Sequence, residues 1–278
     1  MTERLSVEEL RRLAKEIRLI SLEMISRANA SHVGTVFSCV ETLACLYGAI
    51  LRVRPDDPQW SDRDRFVMSK GHGAAGLYAT LALRGFFPRE RLNEFYVDGG
   101  SLYGHVTHTG VPGVDASTGA LGHGLALAVG LAAGAARLAA QWRVFALLSD
   151  GECDEGSTWE AVLLAPAWKL FNLTAIVDYN KIQSLGRVAE VIPLEPFADK
   201  WRAFGWDTRE VDGHDVGALL NCLDPEAWQP AGDRPRCIIA HTIKGKGVSF
   251  MEDDLLWHYR IPKGEEYERA RAELERSA

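Results

Sequence analysis

The chain has 278 residues, 47% hydrophobic and 25% charged, with a net charge of −7. That balance describes a globular protein long enough to bury a substantial core as one large domain or two small ones, and the lack of a Lys/Arg block argues against nucleic acid as the main partner. Five cysteines, at 39, 45, 153, 222 and 237, form no CxxC pair and leave an odd thiol, which disfavours a zinc site or a disulfide framework and makes a reducing cytoplasm the simplest compartment.

Residues 1–10 are charged and helical in character with no apolar h-region, so no signal peptide is expected. Val7, Leu10, Leu13, Ala14, Ile17, Ile20, Met24, Ile25 and Ala28 recur at helical spacing and predict an amphipathic helix over 7–28. A turn is expected over 29–34, then a second helix near 40–51, ended by Arg54-Pro55-Asp56-Asp57-Pro58. Residues 65–69 read as a short strand, and Gly71-His72-Gly73 opens a helix to about Leu83. The stretch 99–124, rich in Gly, Thr, Ser and His, is a long loop of the kind that carries function more often than structure. Residues 125–140 form the most apolar helical stretch, shorter than the roughly 20 residues that cross a bilayer, so no membrane span is expected. Gly130 and Gly134 lie four apart in it, which lets another backbone approach and marks a central or subunit-facing helix. Further strands near 143–148, 173–177, 207–211 and 236–240 alternate with helical or irregular crossovers, the grammar of a parallel sheet covered on both faces. Residues 264–278 read as an exposed charged helix.

Two of these strands end in polar turns. Val144-Phe145-Ala146-Leu147-Leu148 runs into Ser149-Asp150-Gly151-Glu152, and Leu173-Thr174-Ala175-Ile176-Val177 runs into Asp178-Tyr179-Asn180-Lys181-Ile182. Residues 155–171 between them read as one helix, so the unit is strand, crossover, strand. A right-handed crossover places both strand C-termini on the sheet edge where ligands of open α/β sheets collect. Asp150 and Asn180 then face one small volume. A carboxylate, an amide oxygen and a nearby main-chain carbonyl suit a hard octahedral cation such as Mg2+, which keeps its remaining positions for water and phosphates. Asp-Gly after a strand and Asn before a turn are also ordinary loop chemistry, so the pair draws its weight from further motifs.

Those motifs are Ser31-His32-Val33-Gly34, Ser69-Lys70-Gly71-His72-Gly73, Gly104-His105, Ser117-Thr118-Gly119-Ala120-Leu121-Gly122-His123-Gly124, Glu155-Gly156, and Thr242-Ile243-Lys244-Gly245-Lys246-Gly247 with Trp257-His258. Together with the two strand ends, over roughly residues 10–262, they make the chain resemble the N-terminal, diphosphate-binding half of a transketolase. Ser149 stands where the thiamin diphosphate signature normally has Gly. The resemblance implies the PP-type thiamin diphosphate-binding fold, an α/β three-layer sandwich with a mostly parallel sheet covered by helices. It implies one domain over 1–278, with its core over 10–262 and a helical tail over 264–278. The implied cofactors are thiamin diphosphate and Mg2+, or Ca2+ or Mn2+ in its place. Asp150, Asn180 and the Ile182 carbonyl would hold the metal. His72, Gly119, Ala120, Leu121, Asp150, Gly151, Glu152, Asn180, Lys244 and His258 would contact the cofactor.

By the same resemblance His32, His72, His105 and His258 are catalytic, bonding sugar hydroxyls and moving protons, work suited to a group with an unperturbed pKa of about 6.5. His108, His123, His214 and His241 are left as loop, turn and strand-end residues. Glu155 and Glu160 match acidic positions near a subunit contact, although for Glu155 a solvated acid in a first helical turn reads as well. Val33 replaces a common Pro, Thr35 stands where Ser or Gly is frequent, and Tyr259 follows His258 where Gly is usual. These departures alter the walls around the substrates rather than the cofactor clamp. The implied activity is that of the N-terminal subunit of a two-component transketolase, transferring a two-carbon ketol unit from a ketose phosphate to an aldose acceptor. The pyrimidine-binding domain and its catalytic Glu are expected on a separate C-terminal subunit, in an α2β2 assembly. The alternatives are the α-subunit of a thiamin diphosphate-dependent 2-oxo acid decarboxylase or dehydrogenase, and a non-catalytic cofactor-binding scaffold subunit.

Overall fold

Side chains of the central strands alternate between two cores, one on each face of a single sheet. The computed structural model describes residues 4–228 and 232–276. Five strands, β1 (Arg65–Met68), β2 (Val144–Ser149), β3 (Leu173–Tyr179), β4 (Asp207–Asp212) and β5 (Arg236–His241), pair in parallel in the order β1-β2-β3-β5-β4. Phe145, Leu147, Ile176 and Ile238 enter one core, whereas Val144, Ala146, Ala175 and Ile239 enter the other. Every residue of β2 and β3 is buried, as parallel strands covered on both faces require. The edge strand β4 exposes Asp207, Glu210 and Asp212, charges that discourage pairing with another chain.

The helices among the described residues are α1 (Val7–Ala28), α2 (Val33–Ser38), α3 (Val40–Cys45), α4 (Ala74–Leu83), α5 (Gly124–Arg137), α6 (Gly156–Ala167), α7 (Val188–Val191), α8 (Phe197–Ala203), α9 (Val216–Leu223) and α10 (Glu265–Arg276). The first four, with α9 and α10, pack over the first core, and α5, α6 and α8 over the second. This is the expected three-layer α/β arrangement. No helix among the described residues is long and apolar enough to cross a membrane.

Local chemistry explains where the elements match expectation and where they do not. The first helix spans 7–28 as expected because both ends are capped. Ser6 Oγ accepts from the Glu9 backbone N–H at 3.3 Å, the Glu9 carboxylate accepts from the Ser6 N–H at 2.8 Å, and Asn29 turns left-handed at φ 52°. The second expected helix starts early, at Val33, is interrupted at Cys39, and closes in a π-turn over Leu46–Ile50. His32 compresses the preceding turn, since its backbone is left-handed at φ 74° and its N–H donates to the His258 carbonyl at 3.0 Å. Helices expected to reach 140 and 171 stop short, because Ala139 and Lys169 adopt left-handed conformations at φ 52° and 54°. The tail helix is not simply exposed: Ala270 and Leu274 of α10 are buried in the first core. Residues 277 and 278 of that expectation lie outside the described residues.

Candidate active site

Parallel strands deliver their C-terminal residues to one edge. Ser149 pairs with Asp178 and Tyr179 with His241, so Asp150, Asn180 and residues 242–244 leave the sheet side by side. His72 follows β1, His32 precedes α2, His105 and Gly119 come from the long loop, and His258 ends a 3-10 turn over Leu255–His258. These residues close on a cavity of about 400 Å3, which Leu121, Asp150, Gly151, Asn180, Ile182 and Lys244 also line.

The four candidate imidazoles cluster there. The His32 ring centroid lies 5.1 Å from that of His72, 5.2 Å from His258 and 6.1 Å from His105. Burial, followed by the nearby His105 and Lys244, pushes His32 down to about 4. Burial and the Lys244 charge push His258 down to about 3, and burial with Lys70 holds His72 well below its usual value. Each of these three rings is therefore neutral near pH 7, with one donor and one acceptor nitrogen. Tyr259 stands at the rim, its ring 4.6 Å from that of His258 and 5.7 Å from that of His32.

Two buried carboxylates stand at this edge in different surroundings. Asp178 accepts from Ser38 Oγ at 2.6 Å and Asn180 Nδ2 at 3.1 Å, and also from Thr242 Oγ1 and the buried Lys70 ammonium. Burial alone would raise it, but Lys70 and these bonds hold it below the usual carboxylate range. Asp150, 2% exposed, accepts among the described residues only the backbone N–H groups of Gly151 at 2.8 Å and Lys181 at 2.6 Å. Burial, then the Asp178 charge, pushes Asp150 up to about 6.

With its amide nitrogen committed to Asp178, Asn180 presents Oδ1, which accepts the Ile182 N–H at 3.1 Å and keeps a second lone pair. The Ile182 carbonyl accepts from Lys244 Nζ at 2.8 Å. Among the described residues no group of three or more His, Cys, Asp or Glu is arranged to hold a metal. A cation here would rest on one carboxylate, neutral oxygens and oxygens of its ligand. That donor set fits Mg2+, and a buried carboxylate without a bonded cationic side chain is the group such a cation would relieve. Lys244, 1% exposed and pulled down to about 8 mainly by burial, is a donor of the type phosphate oxygens accept.

Two residues expected to touch the cofactor do not line the cavity. Glu152 lies in the 3-10 turn Gly151–Asp154, and its carboxylate accepts from Ser69 Oγ and from the Gly122 N–H at 2.9 Å. It ties the loop to the end of β1 instead. Ala120 is exposed, while its neighbours Gly119 and Leu121 line the cavity. Gly151 does line it, although a Cβ there would meet Gln183 Cγ at 3.1 Å. Glu155 reaches the cavity mouth, and Glu160 is exposed on α6 outside it. His108, His123, His214 and His241 bond to Ser117, the Leu121 carbonyl, Glu41 and Glu210, and none lines this cavity. Sequence reasoning missed the Lys70–Asp178 ion pair. Its only signal is a charge at the end of an otherwise apolar strand run.

Fold and site define a doubly covered parallel α/β domain with a histidine-lined cavity at its strand C-termini. A family model described as "Transketolase, thiamine diphosphate binding domain" matches residues 10–274. An apulose-4-phosphate transketolase subunit of Phocaeicola vulgatus is 41% identical over 270 residues, covering 97% of this chain and 95% of that protein. The "6-deoxy-6-sulfo-D-fructose transketolase subunit SqwG" of Clostridium sp. is 41% identical over 268 residues, 96% of this chain and 97% of that protein. The solved transketolase of Campylobacter jejuni superposes with a TM-score of 0.90 at 30% identity over 98% of this chain. The chain spans 43% of that structure's length. The chain belongs to the transketolase family, as its thiamin diphosphate-binding domain. The expected fold class and the transketolase-type transferase reading are borne out, and these relatives do not favour the 2-oxo acid alternative.

Proposed function

We propose that the chain is the thiamin diphosphate- and Mg2+-binding subunit of a two-component transketolase, which transfers a two-carbon ketol unit from a ketose phosphate to an aldose acceptor. The observation that carries this reading is the convergence of four histidines over the Asp150–Asn180 edge in one cavity. Its two-component character is supported by relatives named as transketolase subunits that match it over nearly their full length, set against its 43% of the Campylobacter protein. The whole chain acts as one diphosphate-binding domain, and a separate C-terminal subunit carries the pyrimidine-binding domain and a catalytic Glu. An α2β2 assembly is supported by α5, where Leu127 is exposed and Gly130 and Gly134 face open space. Five buried free thiols suit a reducing cytoplasm.

Asp150, Asn180 Oδ1 and the Ile182 carbonyl would hold the cation. The Lys244 ammonium has three donors and uses two, toward Ile182 and His258, which leaves one for a phosphate oxygen. Thiamin diphosphate supplies, when bound, a thiazolium that acts as electron sink for carbon–carbon cleavage and joining. His32, His72 and His105 donate to or accept from sugar hydroxyls and move protons between them.

Calorimetric titration with thiamin diphosphate and Mg2+, with and without the partner subunit, tests this reading. Tight binding in the partner's presence, lost in Asp150→Ala, is expected. Binding indifferent to Asp150→Ala, or none with the partner present, would overturn it. His32→Ala and His105→Ala should abolish ketose use and leave cofactor binding in place.

A further inference from the structure

The cavity histidines differ in hydrogen-bonding freedom. His32 Nδ1 lies 3.0 Å from Ser31 Oγ, and His72 Nε2 lies 3.3 Å from Thr35 Oγ1. A hydroxyl both donates and accepts, so either tautomer satisfies these contacts. His258 is different. Its Nδ1 lies 2.7 Å from Lys244 Nζ, which also donates to the Ile182 carbonyl at 2.8 Å. An ammonium has donors and no lone pair, so the ring nitrogen facing it accepts, and the single proton of the neutral ring resides on the other nitrogen. Among the described residues His258 Nε2 has no protein partner and is not sealed from solvent, and the ring lines the cavity. The Lys244 stem is itself held in place, packed so closely on α2 that a Cβ on Gly34 would meet its Cγ at 3.1 Å.

We propose that Lys244 is a positioning residue that locks His258 in its Nε2–H tautomer, so that this ring meets the cavity as a fixed hydrogen-bond donor while His32 and His72 remain free to donate or accept. His258 then recognises an oxygen that lacks a proton, such as a phosphate or carbonyl oxygen, and is not a base for a sugar hydroxyl. That division of labour deepens the transketolase reading and rests on it, whereas the tautomer itself does not depend on it.

The test is a long-range proton–nitrogen NMR spectrum of the full chain labelled with 15N-histidine. It is recorded near pH 6.5, well below the ordinary lysine value of about 10.4, and His258→Gln assigns the signals among the 8 histidines. A nitrogen without a proton resonates far downfield of one that bears it. The native chain should show a fully unprotonated Nδ1 and a protonated Nε2 at His258. Lys244→Met removes the donor at similar length, and Nδ1 should move upfield as the second tautomer becomes populated. A protonated Nδ1 in the native chain, or an Nδ1 shift unchanged in Lys244→Met, would overturn the proposal. Should Lys244→Met fail to fold, the native spectrum alone still decides the tautomer. The measurement needs neither cofactor nor turnover, so its failure is distinguishable from a failure of the transketolase reading.

Discussion

Acidification should destabilise the metal-free chain through its own cavity. His32 and His258 titrate near about 4 and about 3, and His72 well below its usual value, in each case mainly because burial disfavours the charged ring. An unfolded chain takes up protons on the same residues at about 6.5. The native pKa is depressed, so the unfolded state binds more protons and stability is lost as pH falls below 6.5. By linkage each ring that stays neutral costs a little over about 1 kcal/mol between about pH 7 and about pH 5.5, or about 4 kcal/mol for three. Asp150 works in the opposite direction. Its native value is raised to about 6, so the native state takes up a proton there that the unfolded state refuses. That returns about 1 kcal/mol over the same interval. The net loss of about 3 kcal/mol is a large part of the roughly 5–15 kcal/mol that stabilises a typical domain.

Urea unfolding followed by tryptophan fluorescence in a chelating buffer would measure it. With a slope of about 3 kcal/mol per molar urea, the midpoint should fall by about 1 M over that pH interval. His258→Gln should shrink the fall by about a third, whatever it does to the midpoint at pH 7. A midpoint that is unchanged or higher at the lower pH would refute the argument that burial keeps these rings neutral.

Gly71→Ala should destabilise the loop that carries His105 and Gly119. A Cβ at Gly71 would meet the Thr118 carbonyl carbon at 2.6 Å, and Thr118 cannot yield because it donates to the Val106 carbonyl at 3.1 Å and, through Oγ1, to the Met68 carbonyl at 2.6 Å. Overpacking of about 1–3 kcal/mol predicts a thermal midpoint lower by roughly 3–10 °C, and an unaltered midpoint would count against that clash. Glu152→Ala removes the acceptor shared by Ser69 and Gly122 and should cost about 3 kcal/mol or more. Glu152→Gln keeps an acceptor oxygen and should retain most of that stability. Hydrogen exchange at the Gly122 amide separates the two: fast in Glu152→Ala, slow in Glu152→Gln, and equal rates would show that Glu152 does not hold the loop.

Much of this arrangement is legible in the sequence because it depends on local rules. Two apolar strand runs ending in Asp150 and Asn180 need only a crossover helix to bring those ends together, and parallel pairing does so. The first helix is legible because Ser6 and Glu9 announce its start and the apolar period carries it to Ala28. Glu152 misleads for an equally physical reason. Two residues after Asp150 in a 3-10 turn, its side chain leaves on another side and reaches Ser69, 83 positions away in sequence. Ala120 misleads in the same manner, exposed between two neighbours that line the cavity.

The deeper limit concerns Asp150 and Asp178, two acids at the ends of adjacent apolar strands that the sequence presents in similar terms. Only the tertiary structure separates them. Asp178 is bonded by Ser38, Lys70, Asn180 and Thr242, groups drawn from four separate segments and one of them an ammonium, so its charge is already compensated. Asp150 has two backbone N–H partners and lone pairs to spare. A cation arriving at this edge would therefore gain most at Asp150, while Asp178 turns the Asn180 amide so that its oxygen is the end left available. The buried ion pair thus acts on the site indirectly, by keeping one carboxylate out of competition and aiming the neighbouring amide.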